Sequence, residues 1–208
     1  MSHIALHDSA ISLLEAGRAT EAGSIFRRVI ALTPPSRPDD AAAAYFNLGI
    51  AMKDLSRQHD AVAAYLNALK LRPAFPQAHF NLGRAYQMLT DDESRAGYLR
   101  RDHNARRDML LRAAHHFRRA QSLLDESSAE RDSAASKAQH LRSLEEVLWQ
   151  LGDGPHASRA YAEYIRRAPN EGLRRRAKVP CERMRAWLMH EAERMRDSKC
   201  WKVGRGFT

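Results

Sequence analysis

Apolar residues along this chain recur at spacings of three and four, and the pattern restarts. Between residues 42 and 75, Tyr45, Leu48, Gly49 and Met52 form one stripe, and Ala61, Tyr65 and Ala68 form another. Pro73 ends the second. These spacings predict two amphipathic helices, because an α-helix repeats every 3.6 residues and proline cannot continue one. From Pro76 the pattern begins again with His79, Leu82, Gly83 and Tyr86, so that Tyr45-Phe46-Asn47-Leu48-Gly49 lines up with His79-Phe80-Asn81-Leu82-Gly83 at an offset of 34. A fixed period of helix pairs predicts an all-α stack in which each unit buries its apolar face on its neighbours.

Four such units are predicted between residues 3 and 171. The first, His3–Ser36, places Leu6, Ser9, Ala10 and Leu13 on one helix and Ala22, Phe26 and Val29 on the next, with Gly17 at the turn and Pro34 at the end. The second is Ala42–Phe75. The third, residues 76–127, carries Ala113, Phe117 and Ala120 on its second helix. Its interval from Gly83 to Ala113 is 30 residues, against 12 from Gly49 to Ala61, so 18 residues are inserted near 90–112. Tyr98, Asp102, Arg106, Leu110 and Ala113 give the insertion a helical spacing. It either projects, by about 27 Å as one helix, or folds back as a short extra helix. The fourth unit, Ala138–Glu171, has Leu141, Leu144, Val147, Leu148 and Leu151, then Gly152-Asp153-Gly154 at the turn, then Ala157, Tyr161 and Tyr164. About ten residues before it (Ser128–Lys137) read as an extension of its first helix, capped near Ser127 or Ser128. Beyond Pro169, Met184, Trp187, Leu188 and Met195 suggest a basic capping helix over 172–197, followed by a tail at 198–208.

The 34-residue period, the small residues Gly49 and Ala61 where two helices must cross closely, and the turn string Glu15-Ala16-Gly17-Arg18-Ala19 resemble the tetratricopeptide repeat family. The resemblance covers roughly the first 170 residues and implies a right-handed helix-turn-helix solenoid that serves as a protein-binding scaffold or adaptor. First helices would line a concave groove holding an extended or helical segment of another protein. The groove residues so implied are Phe46, Asn47, Ile50 and Lys53 in the second unit, and Gln77, Phe80, Asn81, Arg84 and Gln87 in the third, with Arg142 and Trp149 in the fourth. Asn47 and Asn81 are the centre of this reading, since an amide offers both an acceptor and two donors to a peptide backbone. The carboxylate clamp of chaperone-binding members is not expected, because of His7, Ile11, Asn47, Gln77 and Asn81 only Asn47 matches it.

Charge adds a second candidate surface. The chain of 208 residues carries 34 Lys and Arg against 25 Asp and Glu, a formal net charge of +9. The excess sits in two places: Arg95–Arg119 has 8 bases against 2 acids, and Arg166 to the end has 13 against 5. Arg100, Arg101, Arg106 and Arg107, with Arg174, Arg175 and Arg176, are therefore candidates for an acidic protein, or for RNA or a ribonucleoprotein bound through phosphates. On that alternative the protein is a basic assembly factor.

Little points to chemistry. His3 and His7 lie four apart and His115 and His116 are adjacent, yet neither pair has a third ligand at a fixed spacing, so no metal is expected. No Gly-rich phosphate loop and no Gly-x-Ser-x-Gly elbow occurs. The expectation is a non-enzyme without a cofactor. No run is long and apolar enough for a membrane span, and no basic start followed by an apolar stretch suggests a secretory leader. Cys181 and Cys200 are isolated thiols, which suits a reducing, cytoplasmic setting.

Overall fold

The computed structural model describes residues 2–95, 103–126 and 130–167. Among them are eight helices: α1 (His3–Glu15), α2 (Ala19–Leu32), α3 (Pro38–Asp54), α4 (Gln58–Leu71), α5 (Pro76–Arg95), α6 (His103–Glu126), α7 (Glu130–Gln150) and α8 (Gly154–Arg167). The chain divides into two compact units, Met1–Glu130 and Arg131–Thr208. The expected capping helix at 172–197, the tail, and the cap near Ser127 or Ser128 lie outside the described residues.

In the first unit each helix packs on the next, from α1 through to α6, giving three antiparallel hairpins. What sets their crossing is a pairing of a small residue with an aromatic ring. Tyr65 and Phe117 are fully buried, and their rings lie flat against Gly49 and Gly83. A Cβ on Gly49 would sit 2.4 Å from Tyr65 Cε1, and one on Gly83 2.8 Å from Phe117 Cε1. The first hairpin has Ala10 and Phe26 at the equivalent positions, both with no exposure. Each buried ring contributes about 1.5–3 kcal/mol through the area it removes from water. The small residues are therefore required by the approach of a ring from the opposite helix.

The second unit treats the same positions differently. Aligning Ala157 with Ala61 puts Glu145 where Gly49 stands and Tyr161 where Tyr65 stands. Glu145 is buried, Tyr161 is only half-buried, and the buried aromatic is Tyr164, which packs with Ala138 and Leu141. A large side chain in place of glycine leaves no seat for a ring, and the ring three residues later is the one that enters the core.

The turns inside the hairpins share one geometry. Gly17 donates its N–H to Leu14 and Arg18 to Leu13; Ser56 donates to Lys53 and Arg57 to Met52; Gly152 donates to Trp149 and Asp153 to Leu148. This is the Schellman closure, in which one residue past the helix end must take a left-handed conformation. Gly17 (φ 75°) and Gly152 (φ 76°) take it freely, whereas Ser56 (φ 57°) is the one non-glycine with positive φ among the described residues. Ser56→Gly is expected to raise stability by about 0.5–1 kcal/mol, read as a higher urea midpoint at unchanged slope.

Helix α3 starts at Pro38, four residues ahead of the repeat boundary expected at Ala42. Proline fits the first helical position, where its missing N–H would be unpaired in any case, and Asp39 and Asp40 in the first turn favour the positive end of the helix dipole. The described residues of the third hairpin's insertion, 90–95 and 103–112, are helical. They prolong both partners of an existing hairpin. Helix α5 runs twelve residues past Gly83, to Arg95, where α3 runs five past Gly49, to Asp54; α6 starts ten residues ahead of Ala113, at His103, where α4 starts three ahead of Ala61, at Gln58. Leu89 and Thr90 on one arm and Leu110 on the other carry the core toward the extension.

Candidate functional site

The first helices α1 and α3 meet along a seam whose polar side chains are bonded to one another. Asn47 Nδ2 donates to His7 Nε2 at 3.1 Å, and His3 Nε2 lies 3.3 Å from Asp40 Oδ2. Asp40 also receives Arg37 at 3.3 Å, and the His3 and Arg37 side chains together hold its carboxyl below the usual carboxylate range. A cavity of about 90 Å³ opens on this seam, lined by His3, Ile4, His7, Val29, Asp40 and Ala43. Asn47 thus faces the neighbouring first helix, and its amide is already in use.

The two phenylalanines beside the asparagines are half-buried and lean on the core aromatics. Phe46 stands 4.8 Å from Phe75 and 5.9 Å from Tyr65, ring centre to ring centre, and Phe80 stands 5.6 Å from Phe117. Phe75 is in turn covered by the Arg72 guanidinium, 3.4 Å above its ring, a cation–π contact. Of the remaining candidates in the first unit, Ile50, Lys53, Asn81 and Gln87 are half-buried, and Gln77 and Arg84 are exposed. Lys53 lies 3.2 Å from Asp54. Arg142, exposed, and Trp149, half-buried, belong to the second unit. The structure therefore joins Asn47 to His7 and Phe46 and Phe80 to their own hairpins.

The candidate basic surface is only partly described. Arg106 is half-buried and Arg107 exposed on the first turns of α6; Arg100, Arg101, Arg174, Arg175 and Arg176 lie outside the described residues. Farther along α6, Arg112 Nε donates to Asp108 at 2.7 Å and Arg119 lies 4.0 Å from Glu126.

Two histidines are built into the third hairpin, His79 at an expected packing position and His116 from the pair set aside in the sequence. His79 is buried, and its Nδ1 lies 3.0 Å from Nδ1 of His116. They stand 37 positions apart, across the insertion, so no short-range spacing signals the pair. Among the described residues no group of three His, Cys, Asp or Glu side chains is placed to hold a metal ion, and no helix is long and apolar enough to cross a membrane.

Hairpins of this form, stacked on small-to-aromatic crossings and closed by one repeated turn, define a helical-repeat protein. Residues 53–89 match the family described as TPR repeat, and the helix-pair solenoid around them has the fold of tetratricopeptide-repeat proteins. A comparison with curated proteins finds no match. Among solved structures, the chain is similar to the MamA protein, with a TM-score of 0.61 at 16% identity, covering 99% of this chain and 96% of that one. It is similar to PilW, a widely conserved type IV pilus biogenesis factor, with a TM-score of 0.59 at 21% identity over 83% of this chain and 66% of that one. It is also similar to the Yersinia enterocolitica type III secretion chaperone SycD in complex with a peptide of the translocator YopD, with a TM-score of 0.52 at 14% identity over 70% and 91%. At these identities the likeness is one of fold.

Proposed function

We propose that the protein is a non-catalytic scaffold that captures a segment of another protein along the first helices of its first unit. The observation that carries this reading is the Phe-Asn pair repeated at an offset of 34, whose first asparagine reaches across to His7 on the neighbouring first helix. Amides in such a row can serve a peptide backbone once their present partner gives way. SycD, a protein of the same fold, holds a translocator peptide, which supports the reading without naming the partner here. On this reading Asn47 and Asn81 bond the captured backbone, Phe80 and Ile50 border it, and Arg84 and Gln77 meet its polar side chains. The cytoplasm is the proposed setting, on the two isolated cysteines.

The experiment is a parallel affinity capture from native cells with the wild type and with the Asn47→Ala, Asn81→Ala double variant. The partner retained by the wild type is expected to bind the variant about 1–3 kcal/mol more weakly while the variant stays folded, with a melting temperature lowered only by the lost Asn47–His7 bond. Equal retention on both would remove the groove reading.

A further inference from the structure

The third hairpin carries polar rings where the second carries ordinary packing. Tyr45 and Met52 of α3 correspond to His79 and Tyr86 of α5, and Ala64 of α4 corresponds to His116 of α6. The His116 ring neighbours both of the others: its centre is 5.3 Å from His79, with planes 30° apart, and 6.0 Å from Tyr86, with planes 11° apart.

The hydrogen bonds fix the protons. His79 Nε2 lies 3.0 Å from the Pro73 carbonyl, which only accepts, so Nε2 carries the hydrogen. In the neutral ring His79 Nδ1 is then an acceptor, and the hydrogen between the two rings belongs to His116 Nδ1. One added proton fits on His116 Nε2 with that bond intact. A second, on His79 Nδ1, sets one N–H donor against another at 3.0 Å, and the bond is lost.

The surroundings oppose both protons. The charged and titratable groups facing the pair are Arg112, His115 and Arg119 on α6 and Tyr86 on α5; from the segment joining α4 to α5 comes the Pro73 carbonyl, while Arg72 is turned onto Phe75. The carboxylates of Asp108 and Glu126 are paired with Arg112 and Arg119. Burial first, then His79, His115 and Arg112, push His116 down to about 4, and burial is also the leading cause that lowers His79. We propose that the His79–His116 pair is an acid-sensitive joint, which holds α6 on α5 while the two rings share at most one proton and parts when both are charged. The sign follows from linkage: the unfolded rings take protons near pH 6.5, the folded ones lower, so the joint is fully formed above about pH 6.5 and weakens as pH falls toward 4.

The test is hydrogen exchange on the full chain at about pH 7 and about pH 4.5, with rates corrected for intrinsic exchange. Protection of α5 and α6 is expected to fall at least about 30-fold more than protection of α3 and α4 in the same molecule. The double variant His79→Tyr, His116→Ala installs the residues of the second hairpin and is expected to abolish that difference. His116→Phe, which keeps a stacked ring without a titrating group, serves if the double variant does not fold. Equal loss in both hairpins, or an undiminished difference in the variant that folds, would overturn the proposal. Imidazole nitrogen resonances give an independent reading: His79 and His116 are expected to titrate below an ordinary imidazole, and titration of both at the ordinary value would equally refute the joint.

Discussion

Replacing Phe117 with alanine is expected to lower the stability of the first unit by about 3–5 kcal/mol. The ring is fully buried and spans the crossing of α5 and α6, so its loss removes a large apolar area and leaves a cavity that two rigid helices cannot close. The more discriminating measurement concerns its partner. Gly83→Ala would ordinarily favour a helix by about 1 kcal/mol, yet the new Cβ would stand 2.8 Å from Phe117 Cε1, and overpacking of a fixed ring costs about 1–3 kcal/mol. The net expectation is a loss of up to about 2 kcal/mol in the wild type. In a Phe117→Leu background the same substitution meets a smaller and more adaptable side chain, and its effect should vanish or become a gain of up to about 1 kcal/mol. Urea unfolding of the four proteins of the cycle measures the coupling. Additive effects would show that the glycine is not there to seat the ring.

Acidification should weaken the second unit through one residue. His140 is buried on α7, and burial pushes it down to about 4. The folded state keeps the ring neutral, while the unfolded chain takes up a proton near pH 6.5. Between those values the unfolded state holds more protons, so stability falls as pH falls through that window, is unaffected above it, and levels off below it. A displacement of this size corresponds to about 3 kcal/mol at the acid end. His140→Phe is expected to remove the dependence, measured as the change in the unit's melting temperature between about pH 7 and about pH 4.5. A variant that loses stability in acid as steeply as the wild type would place the sensitivity elsewhere.

The fold was legible because its crossings are local. Gly49 and Ala61, and Gly83 and Ala113, announce a close helix approach by their size alone, and Phe26, Tyr65 and Phe117 recur at the position that fills it. The turn at Ser56 was not legible, since serine carries no sign of positive φ and only the glycines of the other two hairpins betray the geometry. The start of α3 was hidden behind three prolines, of which Pro38 alone opens a helix. The candidate groove could be read only as far as equivalent positions allow. That Asn47 would be spent on His7, and that Phe46 and Phe80 would lean on their own hairpins, depends on side chains 29 to 40 residues away. The pairing of His79 with His116 was invisible for the same reason, lengthened by the insertion.

The insertion has a consequence for how such a chain can grow. Each arm of the third hairpin is longer by seven residues than its counterpart in the second, and seven residues turn an α-helix through about 700°, within about 20° of two whole revolutions. The added length therefore leaves the rotational phase of both helices almost where it was, and Gly83 still meets Phe117 as Gly49 meets Tyr65. Growth by five residues an arm would instead turn the tip by about 140° relative to the crossing beneath it. A linear period counts such an insertion as an interruption. In angle it is nearly silent, which is how new surface can be added at the tip of a repeat while the crossing beneath it stays unchanged.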